Sequence, residues 1–145
     1  MYKNPIFICF ALFLLSACAS SKKPPSHVAT LFTQIGGMQT IEPLVQKLVV
    51  RLKQHQQIGF LFEKTNEEDF QALLIAQICM ETGGNCQYTG LSMPEAHSGM
   101  AINTREFDIF VDVLIKTMTD VGISYTHQNK LLAIFAPMRK DVIDQ

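Results

Sequence analysis

From His27 onward, apolar residues recur at three- and four-residue steps, the spacing that holds them on one face of an α-helix, and no stretch alternates as a strand does. The pattern predicts an all-α domain. A first short helix spans about Val28 to Ile35 and stops at Gly36-Gly37, a pair suited to the left-handed dihedrals of a helix end. Thr40 reads as the N-cap of a second helix reaching about Gln54, with Ile41, Leu44, Val45, Leu48, Val49 and Leu52 on one face. Gly59 to Phe62 reads as a tight apolar corner. Asn66, with Asp69 three positions on, opens a third helix whose acidic first turn suits the helix dipole and which runs to Gly83-Gly84. After a loop from Asn85 to Ser92, Pro94 fits the first turn of a short helix around His97. Asn103 and Glu106 read as a capping box for a long helix carrying Phe107, Phe110, Val111, Leu114, Met118 and Val121, ended by Gly122. The last helix begins near Ser124 to Thr126 and carries Leu131, Ile134, Phe135, Met138 and Val142, with Pro137 bending it or marking its final turns. Four substantial helices, in two antiparallel pairs, thus flank one long irregular middle segment. Loops of that length in a compact domain are usually functional.

The N-terminal residues follow a different pattern. Between Ile6 and Ala17 only Ser16 is not apolar, Lys3 precedes the run, and no acidic residue appears before Glu42. A bilayer span needs roughly 20 apolar residues, so this shorter run reads as a secretory signal over residues 1–17. It ends in Leu15-Ser16-Ala17-Cys18, which resembles the bacterial lipoprotein lipobox. The resemblance implies that Cys18 is lipid-modified and becomes the new N-terminus. Acyl chains contribute roughly 0.8 kcal/mol per buried CH₂, enough for several chains to hold a protein at a membrane surface. Ala19 stands where an aspartate would direct retention elsewhere, so the resemblance points to the outer membrane on its periplasmic side. Residues 18–26, polar and holding Pro24 and Pro25, read as a lipidated tether, and 27–145 as one domain.

Setting the signal aside changes the composition. The whole chain of 145 residues is 48% apolar, with a mean hydropathy of +0.15. Without the signal the domain is of ordinary composition and slightly acidic, and nothing suggests nucleic acid, which would call for a basic stripe. Cys79 and Cys86 remain as a pair. In an oxidising compartment they can close a disulfide around Gly83-Gly84; two free thiols are the alternative, and metal ligation has the least support. Their spacing is too wide for a Cys-x-x-Cys redox motif. No Gly-x-Ser-x-Gly elbow, His-Glu-x-x-His motif or phosphate loop is present, so hydrolase and nucleotide chemistry have no support. His27, His55, His97 and His127 are each unremarkable as isolated residues.

The company of His97 sets it apart. Ile35-Gly36-Gly37, Phe62 ahead of Thr65-Asn66, Gly83-Gly84, Tyr88-Thr89-Gly90, Met93-Pro94-Glu95-Ala96-His97-Ser98-Gly99 and Ala136-Pro137-Met138-Arg139 with Asp141-Val142 stand in order and at pitch. In these landmarks the chain resembles the truncated haemoglobins of group 1, from about Leu31 to Val142. The resemblance implies a two-over-two helical sandwich holding haem, with His97 as the proximal ligand of the iron. It also implies a haem slot lined by Phe62, Phe70, Leu74, Ile78, Met93, Ile102, Phe107, Phe110 and Phe135, with Tyr88 as a candidate propionate contact. Most of these apolar residues would be core in any helical bundle, and it is their register with His97 that gives them weight.

The departures from the family bear most on function. Many group 1 members carry a tyrosine on the second helix that donates a hydrogen bond to the bound gas, supported by a polar residue on the next helix. Here Val49 takes the tyrosine's place, Phe70 and Leu74 stand at the supporting positions, and Leu73 replaces a basic residue. Losing such a bond in a dry pocket removes roughly 1–3 kcal/mol, about one to two decades in affinity. The expected protein is a lipid-anchored haem protein that reversibly binds a diatomic gas (O₂, NO or CO), holds oxygen weakly, and tightens on it in Val49→Tyr. The alternatives are a haem enzyme, an NO dioxygenase or peroxidase served by an unidentified reductase, or a globin-fold envelope module without haem. The first alternative usually needs a polar distal group.

Overall fold

The computed structural model describes residues 29–145; the signal, Cys18, the tether and His27 lie outside them. Among the described residues there is no strand. The helices are α1 (Leu31–Gln34), α2 (Met38–Lys53), α3 (Glu67–Glu81), α4 (Met93–His97), α5 (Thr104–Asp120) and α6 (Tyr125–Phe135), with 3₁₀ turns at Gly59–Phe62 and Ala136–Asp141.

Side-chain caps start most of these helices, because the first N–H groups of a helix have no partner within it. Asn66 accepts from the N–H of Asp69 at 3.1 Å. Asn103 and Glu106 bond reciprocally, at 3.0 and 2.9 Å. Ser124 opens α6 in the same way. The first helix is shorter than its pattern predicts, a single turn capped by Thr30. The start of α2 also differs. Thr40 lies inside the helix, and the N-cap is Gly37 at φ 61°, a left-handed dihedral that suits glycine. Gly36, at φ 98°, follows the last turn of α1 and Gly37 begins α2, which leaves no extended residue for a threonine cap and places Pro43 within the helix. At the far end, Pro137 breaks the α-helix at Phe135, so Met138 lies on the following 3₁₀ turn and Val142 just beyond it.

Helix α2 is the centre of the molecule. It packs on both α3 and α5, while α6 contacts α5 and α1. Its predicted apolar face is fully buried, together with Met118 of α5 and Leu131 of α6. Lys53 pairs with Glu67 at 3.0 Å, tying the end of α2 to the start of α3. Arg51 reaches α5, donating to buried Thr117 at 3.1 Å and pairing with Asp120. Buried Gln128 donates to the Ile123 carbonyl at 2.8 Å and to Thr119 at 3.1 Å, fixing the α5–α6 turn. Cys79 and Cys86 are joined in a disulfide with Cα atoms 5.8 Å apart. Helices α2 and α3 set against α5 and α6 form the two-over-two arrangement, and a cavity opens between α3 and the α5–α6 pair.

Candidate functional site

The cavity measures about 570 Å³ and its wall is mostly apolar. Of the residues expected to line it, α3 supplies Phe70, Leu74 and Ile78, the first 3₁₀ turn Phe62, and the loop after α3 Tyr88. Met93 and His97 come from α4, Ile102 from the segment after it, Phe107 and Phe110 from α5, and Phe135 from α6. Phe62 and Phe70 pack with ring centroids 5.7 Å apart. Val49 is the exception. It is fully buried in the core but is not among the lining residues, and its neighbour Leu48 takes that place. The periodicity of α2 puts both on its buried side without fixing which one faces the gap.

Helix α4 has only five residues, so its geometry depends on its cap. The N–H of Ser92 donates to the Glu95 carboxylate at 3.0 Å and its hydroxyl at 2.5 Å. The Ser92 hydroxyl first, and then its N–H, hold the Glu95 carboxyl below its ordinary pKa of 4.5. Nδ1 of His97 lies 2.8 Å from the carbonyl oxygen of Met93. A carbonyl only accepts, so Nδ1 carries a proton, and in the neutral ring the lone pair is then on Nε2. The chain after His97 is pinned as well. Ala101, at φ 50°, donates to the Gln145 carbonyl at 3.3 Å, and Asp144 donates to Ile102 at 2.9 Å. His55 and His127 do not line the cavity.

Polar side chains are a minority on the wall. Gln77, which the sequence reading did not single out, lies 3.8 Å through Nε2 from the sulfurs of both Met93 and Met138. Its three-residue step from Leu74 places it on the lining face of α3 and was the available signal. Arg139 lies 3.7 Å from Asp108, with its guanidinium 5.4 Å from the Phe107 ring centroid. The Tyr88 hydroxyl donates to the Leu91 carbonyl at 2.9 Å, so a propionate hydrogen bond from that phenol would displace Leu91. Leu73 also lines the wall, at the position where the resemblance expects a basic side chain. Among the described residues, no three His, Cys, Asp or Glu side chains cluster to hold a metal ion. His97 thus stands as a single nitrogen donor in an apolar wall.

Comparison with known proteins agrees with this architecture. The group 1 truncated hemoglobin of Mycolicibacterium paratuberculosis is 25% identical over 114 residues, covering 79% of this chain and 84% of the relative. That of Tetrahymena thermophila is 26% identical over 121 residues, covering 79% and 94%. Among solved structures, truncated hemoglobin from Tetrahymena pyriformis in its Fe(III) form superposes with a TM-score of 0.78 at 22% identity, covering 81% of this chain and 100% of that one. The 2/2 hemoglobin of Synechococcus sp. PCC 7002, with covalently attached heme, superposes at 0.74 and 20%, with the same coverage. The family model described as Bacterial-like globin matches residues 30–144, nearly the whole of the described chain, and the protein belongs to that family.

Proposed function

We propose that this protein is a haem globin that binds a diatomic gas reversibly at iron held by His97, in a pocket whose ligand side is apolar, and that Cys18 anchors it by lipid to the cell envelope. Haem is the family's cofactor, and the residues present suit it. The observation that carries the reading is the 2.8 Å bond from His97 Nδ1 to the Met93 carbonyl, which in the neutral ring puts the lone pair on Nε2 of a side chain lining a cavity of about 570 Å³. A large apolar disc requires such a slot, and a histidine that ligates metal commonly donates its other nitrogen to a carbonyl in this way. Bound haem would supply an iron centre able to take O₂, NO or CO.

The chain's own side chains set the selectivity. Phe70 and Leu74 exclude water and offer no hydrogen bond, so a ligand that depends on a donor is held less firmly by about one to two decades. Oxygen is therefore disfavoured relative to CO and NO. The same lack of a donor argues against oxygen-activating chemistry, which draws on a preorganised polar group. The lipid anchor is supported by the sequence alone, through Leu15-Ser16-Ala17-Cys18. Its check is fractionation: Cys18→Ala should move the protein from the membrane pellet to the soluble fraction.

The decisive experiment on the cofactor is a haem titration of the chain beginning at Ala19. A Soret band that saturates at one haem per chain is expected, with His97→Ala keeping its helical far-UV signal while losing most of the band. An identical titration for wild type and His97→Ala would overturn the assignment of the ligand.

A further inference from the structure

The geometry points to the Cys79–Cys86 disulfide as a redox-addressable site that sets how firmly His97 is held, and hence how fast haem is released. The inference rests on His97 being the iron ligand proposed above. Cys79 is fully buried near the end of α3, directly after the cavity-lining Ile78. Cys86 is only partly buried and lies in the loop that leads to α4. The loop has few other fixed points: among the described residues, no backbone N–H from Asn85 to Leu91 donates to a backbone carbonyl. Tyr88 bonds back to Leu91 within the same loop. Gly90 packs so closely against Tyr88 and Leu73 that a Cβ there has no room. A Cβ at Gly84 would lie 2.5 Å from the Cys79 sulfur, 2.8 Å from the Phe32 ring and 2.9 Å from the Cys79 carbonyl oxygen, so the chain packs tightly beside the buried cysteine. Immediately after the loop come Ser92, whose N–H and hydroxyl hold Glu95, and Met93, whose carbonyl holds His97 Nδ1. One covalent bond therefore anchors the loop that leads to the histidine's own support.

The chemistry is thiol–disulfide exchange with a dithiol reductant. A thiolate of the reductant attacks Cys86 Sγ, the more accessible sulfur, and Cys79 Sγ leaves as a thiolate and takes a proton. The second thiol of the reductant then displaces Cys86 Sγ, which is also protonated, and the reductant departs as a disulfide. The protein gains two electrons and two protons, and the reductant loses the same. The freed loop no longer holds Ser92 and Met93 in one place, and His97 loses a fixed carbonyl partner. Loss of such support around a metal ligand typically weakens metal affinity 10- to 100-fold.

The test uses the haem-loaded domain and reads haem transfer to an excess of an apoglobin acceptor, before reduction with dithiothreitol, after it, and after reoxidation. A parallel arm uses the Cys79→Ala/Cys86→Ala double variant. Expected are about tenfold faster transfer from the reduced chain and from the double variant, an unchanged far-UV helix signal, recovery on reoxidation, and no response of the double variant to the reductant. The iron–histidine stretching band should also shift on reduction in the wild type. Equal transfer rates from oxidised and reduced wild type, with both thiols shown to be free, would overturn the proposal. So would a collapse of the helix signal on reduction, which would make the bond a general staple of the fold. If the oxidised wild type and His97→Ala take up haem alike, the ligand assignment itself has failed, a result distinct from either of these.

Discussion

On the function proposed above, Leu74 and Phe70 set what a bound gas meets, because both line the cavity at the positions where the family resemblance expects polar groups. Leu74 is half-buried, so a longer polar side chain can be accommodated there. Leu74→Gln is expected to slow oxygen release by about 10- to 100-fold, the equivalent of one hydrogen bond of roughly 1–3 kcal/mol in a dry site. Stopped-flow displacement of oxygen by CO measures this, and an unchanged rate would mean that Leu74 does not face the ligand. Val49→Tyr, the substitution the sequence first suggests, should behave differently. Val49 is completely buried and does not border the cavity, so the larger ring overpacks the core and costs about 1–3 kcal/mol of stability. A lowered Tm without slowed oxygen release is expected. These two residues show what could be read in advance. His97 stood out through the string Met93-Pro94-Glu95-Ala96-His97, which resembles the family's and which folds as a short helix whose Met93 carbonyl bonds the histidine ring. Val49 was expected at the site from the family's tyrosine position, and it lies in the core instead, with Leu48 the residue of α2 that borders the cavity.

At the scale of elements, α4 is the piece most exposed to change, since five residues make too short a helix to persist without its cap. Glu95 is fully exposed, and the Ser92 hydroxyl and N–H hold its carboxyl below 4.5. A carboxyl whose pKa is lowered by folding stabilises the folded form when it is ionised. That contribution is complete above 4.5 and is lost as pH falls through the lowered folded value. Glu95→Gln resembles the protonated state at every pH. It should therefore release haem faster than wild type at neutral pH, and the ratio of the two rates should shrink towards one as the solution is acidified below 4.5. Haem transfer followed across that range tests this, and a pH-independent ratio would show that the ionised cap is not what holds the helix. The other caps were readable, since Asn66, Asn103 and Ser124 bond only to residues three positions away. The start of α2 was not, because Gly37 takes the cap position directly after Gly36 and its φ of 61° leaves no mark in the apolar spacing. The Ser92–Glu95 cap lay within reach, but the reading of α4 rested on Pro94 alone.

For the whole molecule, the all-α class followed from the helical spacing and the two-over-two packing from the family resemblance, whereas the cavity is made by long-range contacts that no local pattern records. The apolar residues accordingly divide into two populations that the sequence does not separate. Met118 and Leu131 are both completely buried, yet only Leu131 borders the cavity. Truncating either to alanine removes buried contacts and should cost about 2–5 kcal/mol in the haem-free protein. Their effects should diverge once haem is added, because a ligand that binds only the folded state stabilises it by an amount set by its concentration relative to Kd. Met118→Ala leaves the wall of the slot intact, so added haem should raise its stability by the same increment as in wild type. Leu131→Ala removes part of the wall itself, so the increment should be smaller and the affinity weaker. Denaturant unfolding of the three proteins with and without haem measures the increments directly. Equal increments for Leu131→Ala and wild type would mean that the cavity between α3 and the α5–α6 pair is not where haem is held, and the division between core and pocket would have to be redrawn.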